Sequence, residues 1–277
     1  MSSPTPDTHT EKHRSISSLS DLVERVRGVI GQREVALMIF VAVMAGGVWS
    51  FITLADEVGE GETEYIDERI LHLFRTGDDL SDPIGSHSVE SAVRDVTALG
   101  SLTVIAFLTF GVGIYFFLSR QPRMGLFIVG AVTGGALMTY GLKFLYDRAR
   151  PDFLPTDSIP GDPSFPSGHA AVSAVAYLTL ALLLARSVPR REQKVYIVGM
   201  GVLLTLAVGI SRVYLGVHWP TDVLAGWTLG GVWALVCWQV ERTLQRHGVI
   251  ERSVFVKRTR QPAASGDATV QTPSEQD

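Results

Sequence analysis

The chain has 277 residues, 46% of them hydrophobic, with 24 basic against 28 acidic side chains and a formal net charge of −4. That balance offers no basic excess for a nucleic-acid backbone, and a single cysteine, Cys237, excludes an intramolecular disulfide. A soluble domain of this length would mix its charges through the sequence, whereas here they are segregated away from six uncharged runs.

Residues 1–20 are polar, rich in Ser and Thr, and lack the apolar core of a signal peptide, so the first apolar run reads as an uncleaved anchor. Leu22, Val23, Val26 and Ile30 add a short apolar stripe that chance accounts for equally well. The uncharged runs are 35–55, 96–119, 124–142, 170–185, 195–211 and 223–240. A bilayer span needs about 20 residues. The first three runs fit directly. The last three are short because a charged residue or histidine sits at one end, and their helices are expected to extend through it. Only hydrogen-bonded helices or closed barrels can span lipid, so the expected fold is all-α, a bundle of six transmembrane helices. The expected organisation is a tail at 1–34, a membrane domain at 35–240 with a loop at 56–94, and a tail at 241–277 that is disordered from about Gln261.

In the loop, Ile66, Ile70, Leu71 and Phe74 recur near helical spacing. A short helix lying on the membrane and a solvated acidic loop are both open readings. His72 and His87 carry no motif and read as loop residues. Four glycines of the third run, Gly130, Gly134, Gly135 and Gly141, allow close helix contact. Cys237 reads as packing, and Trp49, Trp227, Trp233 and Trp238 read as interface or packing residues, while Trp219 sits where it could meet a headgroup or acyl chain.

Basic residues orient the bundle. Six spans place both termini on one side, which then holds 17 Lys and Arg, against seven on the other; the loop between Asp56 and Glu90 adds 11 acids there. The positive-inside rule assigns both termini to the cytoplasm of a cell-membrane protein. Lys143 ends the third span, His169 begins the fourth, Arg212 ends the fifth and Asp222 begins the sixth, so all four share the extracytoplasmic face.

Lys143, Arg150 and Arg212 converge there with two histidines, a set suited to a dianionic phosphate. Arg148 reads as a cation snorkelling toward headgroups. In PSFPSGHAAVS, Ser167 and Gly168 open a helix whose N-terminal amides form a phosphate cradle, with His169 facing the bound group. His218 and Asp222 are four apart, so the carboxylate can hold one ring nitrogen and leave the other for chemistry, while also capping the sixth span. That pairing fits a nucleophilic histidine or a metal ligand. Asp147 and Asp162 could complete a metal set with His169, His218 and Asp222, but the three cations would repel a divalent ion, and the expectation is no metal and no cofactor.

KFLYDRARP at 143–151, PSGH at 166–169 and SRVYLGVHWPTD at 211–222 together resemble the three-part signature of the type 2 phosphatidic acid phosphatase superfamily. The signature is a lysine, six residues and Arg-Pro; then Pro-Ser-Gly-His; then Ser-Arg, five residues, His, three residues and Asp. Its spacing holds in all three parts, and the resemblance covers about residues 95–240. It implies a helical fold of the kind shared with haloperoxidases, and metal-independent chemistry. His218 would attack phosphorus, Asp222 would orient it, and His169 would protonate the leaving oxygen. Lys143, Arg150, Arg212, Ser167 and the Gly168 amide would hold the phosphoryl oxygens. The soluble branches, vanadium haloperoxidases and acid phosphatases, do not need six spans. The implied substrate is a membrane lipid phosphate such as undecaprenyl diphosphate, phosphatidylglycerophosphate or phosphatidic acid. A lipid A 1-phosphatase, a lipid phosphotransferase and a non-enzymatic anionic-lipid transporter or binding protein are the alternatives.

Overall fold

The computed structural model describes residues 31–77, 79–151 and 162–251. The expectations for residues 1–20, for Leu22, Val23, Val26 and Ile30, and for the tail beyond Gln261 fall outside these. The chain divides into two compact units, Met1–Gly46 and Gly47–Asp277. The described part of the first is the opening half of helix α1, Gln32–Glu60. The second holds the rest: α2 Glu64–His72, a hairpin of β1 Arg75–Thr76 and β2 Asp79–Pro83, α3 His87–Ala98, α4 Leu102–Leu118, α5 Pro122–Lys143, α6 Gly168–Ser187, α7 Arg191–Tyr214 and α8 Pro220–Arg246.

Helices α1, α5, α6, α7 and α8 are long and apolar enough to cross a bilayer, and the bent pair α3–α4, counted as one broken span, brings the number to six. Phe107, Phe110, Phe117, Leu126, Leu137 and Leu203 stay exposed, as lipid-facing side chains should. The helices do run through His169, Arg212 and Asp222. The second span departs from the expected single helix over 96–119. It breaks at Leu99–Ser101 and bends by 48°. Ser101 caps the new start, its Oγ accepting from Val104 N at 3.3 Å. At the break, a Cβ on Gly100 would lie 2.3 Å from Val208 Cγ1 and 3.3 Å from the His169 carbonyl oxygen, so the chain must turn there without a side chain.

The acidic loop is structured. α2 buries Asp67 and Leu71 on one face while Ile66 stays exposed. Leu71 packs with Ala170 of α6, Val213 of α7 and Val223 of α8. The hairpin is antiparallel, pairing Arg75 with Pro83 and Thr76 with Asp79. Arg75 donates to the Tyr214 carbonyl at 2.8 Å, and Tyr214 donates its hydroxyl to the Ile84 carbonyl at 2.6 Å, which ties the loop to the end of α7. His72 and His87 prove to be helix-end residues rather than loop residues.

α6 is the most enclosed helix, with 72% of its apolar window buried. Val172, Val175, Ala176 and Tyr177 meet Ile105, Val132, Ala136 and Val208 from three neighbouring helices. On its other side α8 approaches to backbone contact. A Cβ on Gly226 would lie 2.9 Å from the Ser167 carbonyl oxygen, and one on Gly230 would lie 2.7 Å from that of Ala171. Gly134 and Gly135 of α5 accommodate the Trp233 ring, as close contact requires, but Gly130 and Gly141 face open space, so only half of that expectation holds. Trp227 and Trp233 donate to the carbonyls of Thr205 and Ala131, and Cys237 is buried, all as packing residues.

Gly230→Val should therefore wedge α6 and α8 apart. Overpacking of this kind costs about 1–3 kcal/mol, a fall of several degrees in the melting temperature of the detergent-solubilised protein. Gly141→Ala should leave that temperature unchanged or raise it.

Candidate active site

Alternating helix direction brings the end of α5, the start of α6, the end of α7 and the start of α8 to one end of the bundle. The three motifs meet there. All eight residues expected at the site belong to these ends or to the turns beside them.

Asp222 is fully buried and lies one turn from His218, with Oδ2 3.4 Å from His218 Nδ1. The same oxygen accepts from Trp219 N at 2.9 Å and from the Ser164 hydroxyl, whose oxygen lies 3.3 Å from Nδ1. Asp222 thus both caps α8 and engages the histidine. His218 is 1% exposed, and burial pushes its imidazole down to about 4, with Asp222 opposing that shift and Arg212 and Arg150 adding to it. The ring is neutral at neutral pH. With Nδ1 turned to a carboxylate, the proton belongs on Nδ1 and the lone pair on Nε2. Arg150 Nη1 lies 3.2 Å from Nε2 and donates to the Val217 carbonyl at 2.8 Å.

Two further cations lie beside Arg150. Lys143 is 7% exposed and donates Nζ to Asp162 Oδ1 at 3.2 Å and to the Pro163 carbonyl at 2.8 Å. Arg150 Nη2 donates to Asp162 Oδ2 at 2.5 Å. One carboxylate therefore spans both cations. Burial alone would raise the Asp162 carboxyl, but Lys143 and Arg150 outweigh it and hold the group below the usual range. Arg212 donates Nη1 to Thr97 Oγ1 at 3.2 Å, and its buried Nε has no hydrogen-bond partner among the described residues. Ser167 Oγ is likewise buried without one, while Ser167 N donates to the Asp222 carbonyl at 3.0 Å. Gly168 begins α6 beside Lys143, and a Cβ there would lie 3.7 Å from Lys143 Cε. His169, partly exposed, is within charge–charge range of Arg212, His218, Arg150 and Lys143. Buried donors without a partner at Arg212 and Ser167, at the same end of the bundle as the start of α6, make an arrangement suited to an anion.

The donors weighed for a metal do not assemble. Asp147 is exposed, Asp162 is paired with two cations, and among the described residues no three His, Cys, Asp or Glu side chains cluster as an ion would need.

Arg148 corrects the sequence reading most. It does not snorkel: its side chain is 12% exposed and bridges two buried carboxylates. Nη1 donates to Asp222 Oδ1 at 2.7 Å and Nη2 to Asp67 Oδ2 at 2.6 Å. Thr221 Oγ1 and Thr63 Oγ1 accept further bonds from it at 2.8 and 3.2 Å. Trp219 lies under the guanidinium, 5.5 Å from ring centre to Cζ, and donates Nε1 to the Ala149 carbonyl. Its indole N–H therefore serves the 148–150 segment. Asp67 escaped the sequence reading. Its one signal was an acid one turn before Leu71, on the face of α2 that carries the apolar contact.

The PAP2 superfamily model matches residues 124–246, which hold all three motifs. Phosphatidylglycerophosphatase B of Bacillus subtilis is 38% identical over 145 residues, 51% of this chain and 70% of that protein. An undecaprenyl-diphosphatase of Sulfolobus acidocaldarius is 32% identical over 45% of this chain and 58% of that one. Among solved structures, a transmembrane PAP2-type phosphatidylglycerolphosphate phosphatase from Bacillus subtilis superposes with a TM-score of 0.65 at 28% identity, covering 73% of this chain and 98% of that one. With its three motifs gathered at one end of a membrane bundle, this chain belongs to the PAP2 superfamily.

Proposed function

We propose that the chain is an integral-membrane phosphatase that hydrolyses the terminal phosphate of a lipid mono- or diphosphate through a phosphohistidine, at the extracytoplasmic face. The observation that carries this reading is His218. Its Nδ1 is held by a buried carboxylate, and its Nε2 faces Arg150, with Arg212 within charge range of the ring. The PAP2 relatives act on lipid phosphates by name, which supports a substrate held in the bilayer. The exposed apolar surface around α4, α5 and α7 suits an enzyme that meets its substrate there.

The phosphoryl group enters the cradle of Lys143, Arg150, Arg212, Ser167 and the amides at Gly168. Its oxygens displace Asp162 from the two cations, and Arg150 turns from Nε2 to the phosphate, freeing the lone pair. Nε2 attacks phosphorus and the bond to the lipid oxygen breaks. His169 delivers a proton to that oxygen. Asp222 stabilises the imidazole as positive charge develops on it, and the cations and amides stabilise the charge spread over the equatorial oxygens. Water then attacks phosphorus, His169 takes its proton, the P–N bond breaks and phosphate departs.

Sidedness rests on the excess of Lys and Arg in the tails and links that six spans assign to the side opposite the site.

Phosphate release from short-chain phosphatidic acid, phosphatidylglycerophosphate and undecaprenyl diphosphate in mixed micelles should persist in EDTA and be lost in His218→Ala. Full activity in that variant, or a divalent-ion requirement, would overturn the mechanism. Asp162→Asn should tighten inhibition by inorganic phosphate. A partly exposed ion pair contributes up to about 1 kcal/mol, so the inhibition constant should fall by roughly fivefold at most; weaker inhibition would refute displacement. In an Asp147→Cys/Cys237→Ser variant, a membrane-impermeant thiol reagent should label intact cells. Labelling only after permeabilisation would invert the orientation.

A further inference from the structure

Two carboxylates at 0% exposure share one guanidinium at the base of the site. Buried charges persist only when paired and hydrogen-bonded, and this network meets that demand. Asp67 Oδ1 accepts from Thr221 N at 2.9 Å, and Oδ2 accepts from Thr221 Oγ1 at 2.6 Å and from Arg148. Asp222 accepts from Arg148 through Oδ1 and turns Oδ2 toward Ser164, Trp219 N and His218. Asp67 itself makes no hydrogen bond to His218 or to the phosphate cradle among the described residues.

The charge count is the informative part. Asp222 with Arg148 alone would be a neutral pair, with little field left to support positive charge on the His218 ring. Asp67 makes the trio net negative, one unit. We propose that Asp67 is a positioning residue for the phosphoryl transfer: by sharing Arg148 and fixing Thr221 at the start of α8, it keeps Asp222 anionic toward His218. This rests on the reading of His218 as the nucleophile.

The groups facing His218 give the inference a sign. Asp222 comes from α8, Arg212 from α7, His169 from α6 and Arg150 from the segment after α5, with Lys143 and Asp162 beyond it. The arginines already oppose a charged ring. Removing the negative charge of Asp67 leaves Arg148 wholly to Asp222, so the ring binds its proton more weakly and becomes a poorer nucleophile. Mere loosening of the structure would do the reverse, admitting water and letting the ring rise toward its ordinary value near 6.5.

Asp67→Asn keeps the shape and removes the charge. With short-chain phosphatidic acid in mixed micelles and the full chain, kcat should fall roughly 10- to 100-fold, by analogy with the loss of a hydrogen-bonded partner behind a metal ligand. KM should stay within about twofold, and the acid limb of kcat/KM should move to lower pH. An unchanged kcat, a KM that rises as kcat falls, or an acid limb that moves up would each overturn the proposal. Arg148→Gln and Asp67→Asn/Arg148→Gln supply a second comparison, with one buried charge of each sign removed in the double variant. Asp67→Asn keeps an acceptor for Thr221 N, so the charge it removes acts through Arg148, and the double variant should match Arg148→Gln within about threefold; a further tenfold loss would overturn it. This comparison also stands where Asp67→Asn alone does not fold. Activity persisting in His218→Ala would instead remove the nucleophile reading, which separates the two failures.

Discussion

The fully buried carboxylate of Asp222 is the constraint on which this structure turns. An anion without water must be given donors, and those it has come from three segments of the chain. Arg148 follows α5, Ser164 precedes α6, Trp219 opens α8, and the Asp222 backbone carbonyl takes a bond from Ser167. Satisfying one carboxylate therefore fixes the turn after α5, the turn before α6 and the entry to α8 against one another. Breaking a buried pair by deleting one partner typically costs about 3–5 kcal/mol, so these segments have little freedom to move apart.

The bundle supplies the frame for that knot. Backbone contact at Gly226 and Gly230 sets the N-termini of α6 and α8 side by side. Gly168 and His169 then stand level with Asp222, and α5 and α7 deliver Lys143 and Arg212 from the opposite chain direction. Precision comes from helices, and chemistry from their ends. The cations do not wait as bare charges: Asp162 spans Lys143 and Arg150. The site proposed to take an anion holds one of its own.

The sequence revealed most of this because the site residues lie at helix ends, where a charge beside an uncharged run stands out. Lys143, His169, Arg212 and Asp222 were readable in that way, and His218 from its spacing of four to Asp222. Arg148 was misread because its character depends on partners 74 and 81 residues away, and nothing local distinguishes a bridging arginine from a snorkelling one. Asp67 was lost among 11 acids in one loop. The break in the second span was hidden by unbroken apolar composition. Yet Gly100 and Ser101, a residue without a side chain followed by a good helix cap, were a signal that spacing and propensity could have used.

The arrangement also bears on what counts as the smallest working unit. Every motif side chain lies between Lys143 and Asp222, so four helices, α5 to α8, contain the whole recognisable signature. They are not self-sufficient. Thr97 at the bent span holds Arg212, and Asp67 on the loop helix shares Arg148. A fragment cut to the signature would retain every motif side chain and lose the partners that hold Arg212 and Arg148. The acidic loop, easily taken for decoration between two spans, belongs to the enzyme's interior.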